Sequence, residues 1–201
     1  MIKVSDILQG TEEWGSIKAG LPSASCFDRI ITTKGEPSKS AKNYIYQLAG
    51  ERIAGVKTET YQSYAMQRGI EMEEEARAYF ELVMGAEVEQ VGVIYHDERR
   101  FLCSPDGLLP NSGLEIKCPL IHTHVGYLLA GVLPSDYFQQ VQGSMLVTGF
   151  SHWWFTSYYP GLPALIIDVQ RDWDFTAKLK VALDEFCAEL DELEKKLRGL
   201  A

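Results

Sequence analysis

The sequence predicts one α/β domain with a mixed central β-sheet and helices around it. Three observations carry that expectation. Apolar residues recur at three-to-four spacing in some segments and alternate in others. The alternating segments occupy the middle of the chain, with helical patterns on both sides and between them. The length, 201 residues, and the composition, 46% hydrophobic and 23% charged, suit a single globular unit. Such a chain buries roughly 70% of the surface its unfolded form exposes, so its core needs no disulfide or structural metal.

Residues 22–31 open on Pro22-Ser23-Ala24-Ser25 and read as a short helix with capping chemistry at its start. Residues 33–40 are a loop by composition. Helices are expected over 41–54 and 67–84, the second with Ala76, Phe80 and Val83 as an apolar stripe beside Glu71, Glu73, Glu74 and Glu75. The period then changes. Residues 87–95 alternate through Val88, Val91, Val93 and Tyr95, and 101–109 and 113–118 read as strands joined by the turn Pro110-Asn111-Ser112-Gly113. Helical patterns at 122–131 and 135–148 follow, then strands at 152–158 and 164–170 about Pro160-Gly161-Leu162-Pro163. Over 174–198, Phe175, Leu179, Ala182, Phe186, Leu190, Leu193 and Leu197 mark a long amphipathic helix. With no internal repeat or linker, residues 1–201 form one domain: an N-terminal helical part (1–84), a sheet core (85–170) and the C-terminal helix (174–198).

The net charge of −9 argues at first sight against a polyanionic partner. The acids are unevenly placed, however. Residues 1–60 carry eight basic and seven acidic side chains, residues 61–100 four and nine. Cys26, Cys103, Cys118 and Cys187 show no C-x-x-C or paired spacing, which speaks against a zinc ribbon, an iron–sulfur site or a disulfide framework. Reduced thiols and a cytoplasmic location are the simpler expectation. The N-terminus lacks a basic region followed by a long apolar stretch, and no apolar run reaches the roughly 18 residues of a membrane span.

Chemistry concentrates in Cys103-Ser104-Pro105-Asp106-Gly107-Leu108 and Gly113-Leu114-Glu115-Ile116-Lys117-Cys118-Pro119. Alternation places Glu115 and Lys117 on one face of a strand and Ile116 on the other. A hairpin returns Asp106 to the neighbourhood of Glu115. Two carboxylates and an ammonium thus converge. Mg²⁺ takes oxygen ligands, commonly one or two carboxylates plus waters and phosphate oxygens. Asp106, Glu115 and the backbone carbonyl of Ile116 would supply such a half-shell, and Lys117 would orient or help deprotonate a water and stabilise charge on a scissile phosphate.

Pro105-Asp106 with Glu115-Ile116-Lys117 resembles the PD-(D/E)XK nuclease superfamily. Trp14, Gly20, Ser23-Ala24-Ser25, Arg68-Gly69, Glu73 and Gln140-Val141-Gln142 agree in order and spacing with its phage lambda exonuclease (YqaJ-type viral recombinase) branch, over about residues 12–158. The resemblance implies a restriction-endonuclease-like core and a Mg²⁺-dependent 5′→3′ exonuclease on linear double-stranded DNA that releases mononucleotides and leaves 3′ overhangs. Glu73 would complete a two-metal site, with Mn²⁺ able to substitute, and Gln140 would help position the attacking water and Lys117. Lys18, Ser23 and Ser25 would bind the 5′-phosphate. Lys18 stands where the relative has arginine, and Thr123 where a second basic residue is expected. The branch uses homotrimeric rings and a single-strand annealing partner, in the cytoplasm of a bacterial host carrying phage or prophage genes. Endonuclease activity on the same scaffold, or a non-catalytic DNA-end-binding module, are the alternatives.

Other polar groups receive plainer readings. His122 and His124 do not share a helix face, and His96 and His152 lie far away, so surface or phosphate-proximal roles are expected rather than zinc ligation. Core packing is expected of at least one of Trp153 and Trp154. Lys34, on the 33–40 loop, is a candidate DNA contact. The acidic charge leads to a further expectation: basic residues should line an interior passage, with the acids at the metals and on the outer surface.

Overall fold

A computed structural model describes residues 2–4, 6–58 and 64–200. Strand β1 (Ile2–Val4) leads to helix α1 (Glu12–Lys18), a 3-10 turn (Ala24–Arg29), helix α2 (Ala41–Ala54) and helix α3 (Tyr64–Met84). Short strands β2 (Val93–Tyr95), β3 (Leu102–Cys103) and β4 (Gly107–Leu109) precede β5 (Ser112–Lys117). Helix α4 (Ile121–Ala130), a second 3-10 turn (Ser135–Tyr137) and helix α5 (Phe138–Thr148) cross over to β6 (His152–Ser157), β7 (Leu165–Gln170) and the long helix α6 (Trp173–Arg198).

The main sheet has the order β4-β5-β6-β7. Its central pair, β5 and β6, is parallel and the outer pairs are antiparallel, so the sheet is mixed as expected. Parallel neighbours need a long connection, which the helical crossover through α4 and α5 supplies. A second sheet, β1-β2-β3, is antiparallel throughout.

Alternation along the strands divides the core. Leu114 and Ile116 of β5 face α3, packing with Ala76 and Phe80, and Trp154 meets Phe80 at 6.1 Å between ring centroids. Trp153 and Phe155 of β6 face the other way, onto Val141 and Met145 of α5. All seven expected apolar residues of α6 pack in a third cluster with α2, the first 3-10 turn and the β2–β3 region.

Several expectations are corrected. The segment 22–31 is a six-residue 3-10 turn, because Ser23 bridges to Leu102 and Ile31 to Pro37, which pins both ends in extended backbone. The strand expected over 101–109 is broken at Ser104-Pro105-Asp106, and of 87–95 only Val93–Tyr95 is a strand, with Glu89 bridging to Leu108. Val83 is 53% exposed; the buried stripe of α3 runs instead through Met72, Ala76, Phe80 and Met84. The N-terminal part is not purely helical, since β1 adds an edge to the second sheet.

Candidate active site

Asp106 occupies the break between β3 and β4. Its backbone N–H donates to the carbonyl of Leu114 at 3.0 Å, and its Oδ2 accepts from the Ile116 N–H at 2.6 Å. The break frees the side chain from strand alternation while the hairpin fixes it beside β5. Glu115, 1% exposed, points to the α5 side of the sheet. Its Oε1 accepts from Gln140 Nε2 at 2.6 Å and pairs with Lys117 Nζ at 2.5 Å. Lys117 lies 5.1 Å from the Tyr137 ring centroid. The structure therefore brings Asp106, Glu115, Lys117 and Gln140 together.

Glu73 approaches from α3. Arg77, one turn on, pairs with Glu73 Oε1 at 2.5 Å and donates through Nε to the Asp106 carbonyl at 3.1 Å. Glu71, Glu74 and Glu75 are exposed, so Glu73 is the inward member of that acidic run.

Electrostatics bind these groups into one cluster. Burial, Asp106 and Glu73 push the Glu115 carboxyl up to about 7 against the pull of Lys117. Burial and Asp106 likewise take Glu73 to about 7, and burial raises Asp106. Burial alone would lower Lys117, but Glu115 and Asp106 outweigh it and hold the ammonium well above the ordinary lysine range. Carboxylates crowded in this way gain from a cation among them. Among the described residues no three His, Cys, Asp or Glu side chains already converge as a metal cage. The hydrogen bonds and ion pairs described here occupy Oδ2 of Asp106 and Oε1 of Glu115 and Glu73. The donors are hard carboxylate oxygens, a chemistry that suits Mg²⁺, and Asp106, Glu115 and Glu73, with the Ile116 carbonyl in the same strand, are the residues that would hold it.

Of the expected end-binding residues, Lys18 is close enough to Asp106 to feel its charge. Lys18 is buried at the end of α1, with Nζ 3.6 Å from the Trp14 ring centroid. Ser23 and Ser25 place their hydroxyls 3.3 Å apart. The helix N-terminus expected there does not exist, since the 3-10 turn is too short. Ser104 contributes a buried Oγ with no hydrogen-bond partner among the described residues. Lys34 is exposed on its loop, not in this cluster.

Sequence reasoning gave no role to Arg77, Tyr137 or Ser104. Arg77 carried a signal, its i,i+4 spacing from Glu73. His124 corrects another expectation: it is fully buried, with Nδ1 2.7 Å from Ser157 Oγ and Nε2 2.9 Å from the Pro163 carbonyl. A carbonyl only accepts, so Nε2 carries the proton and Nδ1 accepts from Ser157. His122 is exposed. Both tryptophans pack inward, Trp153 completely.

Fold and site define the class: a PD-(D/E)XK-type α/β core with Asp106, Glu115 and Lys117 on one hairpin. The chain belongs to the YqaJ-like viral recombinase family, whose domain model matches residues 13–151. It is similar to LHK-Exo in complex with dAMP, at 33% identity and a TM-score of 0.84, covering 95% of this chain and 100% of that one. The alkaline exonuclease LHK-Exo from Laribacter hongkongensis matches in a second structure at 32% identity and a TM-score of 0.80, with the same coverage. A phage-related exonuclease from Haemophilus somnus 129PT shares the fold at 14% identity and a TM-score of 0.70, over 90% of this chain and 96% of that one. No curated protein matches the chain.

Proposed function

We propose that this protein is a Mg²⁺-dependent 5′→3′ exonuclease acting on linear double-stranded DNA, releasing 5′-mononucleotides and leaving 3′ single-stranded overhangs for recombination by strand annealing. The observation that carries the reading is the convergence of Asp106, Glu115 and Lys117 on one hairpin, with Gln140 bonded to Glu115. The likeness to an exonuclease crystallised with a deoxynucleoside monophosphate supports it.

Asp106, Glu115 and Glu73 would hold the metal, with Mn²⁺ as a substitute. Bound there, it supplies Lewis-acid stabilisation of charge on the scissile phosphate. The chain's own residues do the positioning. Gln140 fixes the Glu115 carboxylate, Arg77 ties Glu73 to the Asp106 backbone, and Lys117 donates to a phosphate oxygen as charge gathers on it. Lys18, Ser23 and Ser25, with the unpaired Oγ of Ser104, are suited to a 5′-phosphate beside Asp106. Lys34 contacts DNA further out. A homotrimeric ring threaded by the duplex, and a single-strand annealing protein receiving the 3′ strand, complete the proposal. Among the described residues no helix is long and apolar enough to cross a membrane.

The test uses linear duplexes labelled separately at the 5′ and 3′ ends, with and without 5′-phosphate, in Mg²⁺. Early release of the 5′ label as mononucleotide is expected, with covalently closed duplex left intact. Early loss of the 3′ label, or cutting of closed duplex, would reject the reading.

A further inference from the structure

We infer that Lys57 is a second cation of the end-binding site, gripping a terminal 5′-phosphate together with Lys18 against the indole of Trp14. The inference rests on the exonuclease reading and adds to it a residue that neither the sequence pattern nor the resemblance supplied. Lys57 Nζ lies 5.2 Å from the Trp14 ring centroid, on the same side chain that Lys18 approaches to 3.6 Å. Lys18 is only 6% exposed. No carboxylate forms an ion pair with either ammonium among the described residues, although Asp106 attracts Lys18 from nearby.

Two neighbouring cations, one of them buried, cost free energy that a doubly charged anion offsets. Burial and Lys57 together push Lys18 down to about 7, a measure of how poorly its charge is compensated.

A single buried carboxylate builds the site. Glu51, 3% exposed, accepts from the Gly20 N–H at 2.9 Å and from the Thr58 N–H at 3.1 Å. Those two peptides follow closely on Lys18 and Lys57. Arg52 Nε donates to the Gly20 carbonyl at 2.8 Å, closing the clamp on a glycine whose φ of +71° suits no other residue well. Trp14 is anchored by its Nε1–H, which donates to the Gly92 carbonyl at 2.9 Å. The peptides beside Lys18 and Lys57 are thus held to one another through Glu51, and the ring that both lysines approach is held in place by Gly92.

The pair also explains the chemistry of selection. A terminal phosphate monoester carries about −1.5 to −2 charge at neutral pH, whereas each internal phosphodiester carries one. Two point charges favour the former, and they serve where Lys18 lacks the fork of an arginine.

The experiment measures the affinity of the whole protein for blunt hairpin duplexes bearing a 5′-phosphate or a 5′-hydroxyl, by fluorescence anisotropy in EDTA so that nothing is cut. The wild-type protein is expected to favour the phosphorylated end by about tenfold or more, the equivalent of one hydrogen bond to a charged group. Lys57→Met should reduce that preference severalfold, as should Lys18→Met, and Lys57→Arg should restore it. Lys57 is exposed, so its replacement leaves the core alone. A wild-type preference retained by Lys57→Met, or no preference in the wild type, overturns the clamp even if labelled duplexes are digested from the 5′ end. Absence of that digestion overturns the exonuclease reading instead.

Discussion

The Ile116 N–H donates to Asp106 Oδ2 at 2.6 Å while the Asp106 N–H donates to the Leu114 carbonyl at 3.0 Å. Asp106 is therefore stapled to β5 on both sides of Glu115, and the separation of the two carboxylates is set by backbone. Asp106→Asn keeps an acceptor for Ile116 and removes the charge. Its melting temperature without metal should stay near the wild-type value, whereas nuclease activity should fall by about a thousandfold, the loss typical of a group that stabilises transition-state charge. Mn²⁺ at about 100 times its Kd should stabilise the wild type by about 2.7 kcal/mol, and Asp106→Asn and Glu115→Gln should lose that gain in a thermal-shift assay.

Gln140 meets Glu115 at 2.6 Å from the crossover side. Removing a residue that orients a ligand usually costs about 10–100-fold in metal affinity or activity. Gln140→Ala should show that loss with far-UV circular dichroism unchanged, and wild-type turnover in this variant would remove Gln140 from the site.

Arg77 joins Glu73 to the Asp106 carbonyl. Lysine keeps the charge but cannot make both contacts in the same plane. Arg77→Lys should therefore lose about 10–100-fold in turnover, appearing in kcat more than in the KM for DNA. A loss confined to KM would assign Arg77 to DNA binding.

Lys18 ties stability to pH. Burial takes its folded-state pKa to about 7, below the ordinary 10.5, with Lys57 adding to the shift and Cys26, Cys103 and Asp106 opposing it. Between those values the unfolded chain holds a proton that the folded chain has released, so this group makes stability rise with pH, by at most about 1.4 kcal/mol per unit. Below 7 both states are protonated and the dependence vanishes. Urea midpoints at pH 7.5 and 9.5 should show a shallower rise for Lys18→Met than for wild type; identical slopes would contradict the assignment.

Gly113 stands opposite Trp153 in the parallel β5–β6 pair, and a Cβ there would run into the Trp153 ring. Trp153 is fully buried and has no room to retreat. Gly113→Ala should cost about 1–3 kcal/mol, as overpacking does, seen as a lower urea midpoint.

The grouping of the acids and the lysine was legible in the sequence because these residues are local. Asp106 and Glu115 lie on one hairpin, Lys117 is two positions on, and alternation correctly put Ile116 in the core. The apolar register of α6 was equally plain. What escaped notice depends on distant partners. Strand β1 has three residues and exists because Ile2 pairs with Tyr95; nothing within the segment marks it. Lys57 gains meaning from Trp14, and His124 from Ser157 and Pro163. Val83 fell on the wrong face because the stripe of α3 continues one position later, at Met84.

The parallel pairing of β5 with β6 also bears on when the site is assembled. Non-local pairing forms late in folding, after the cost of closing the intervening loop has been met. Glu115 meets Gln140, and Lys117 meets Tyr137, only once the α4–α5 crossover has folded back onto the sheet. A chain still being synthesised, with β6 not yet made, carries Glu73, Asp106 and Glu115 without the sheet that brings them together. Completion of the sheet is the event that would assemble the proposed site.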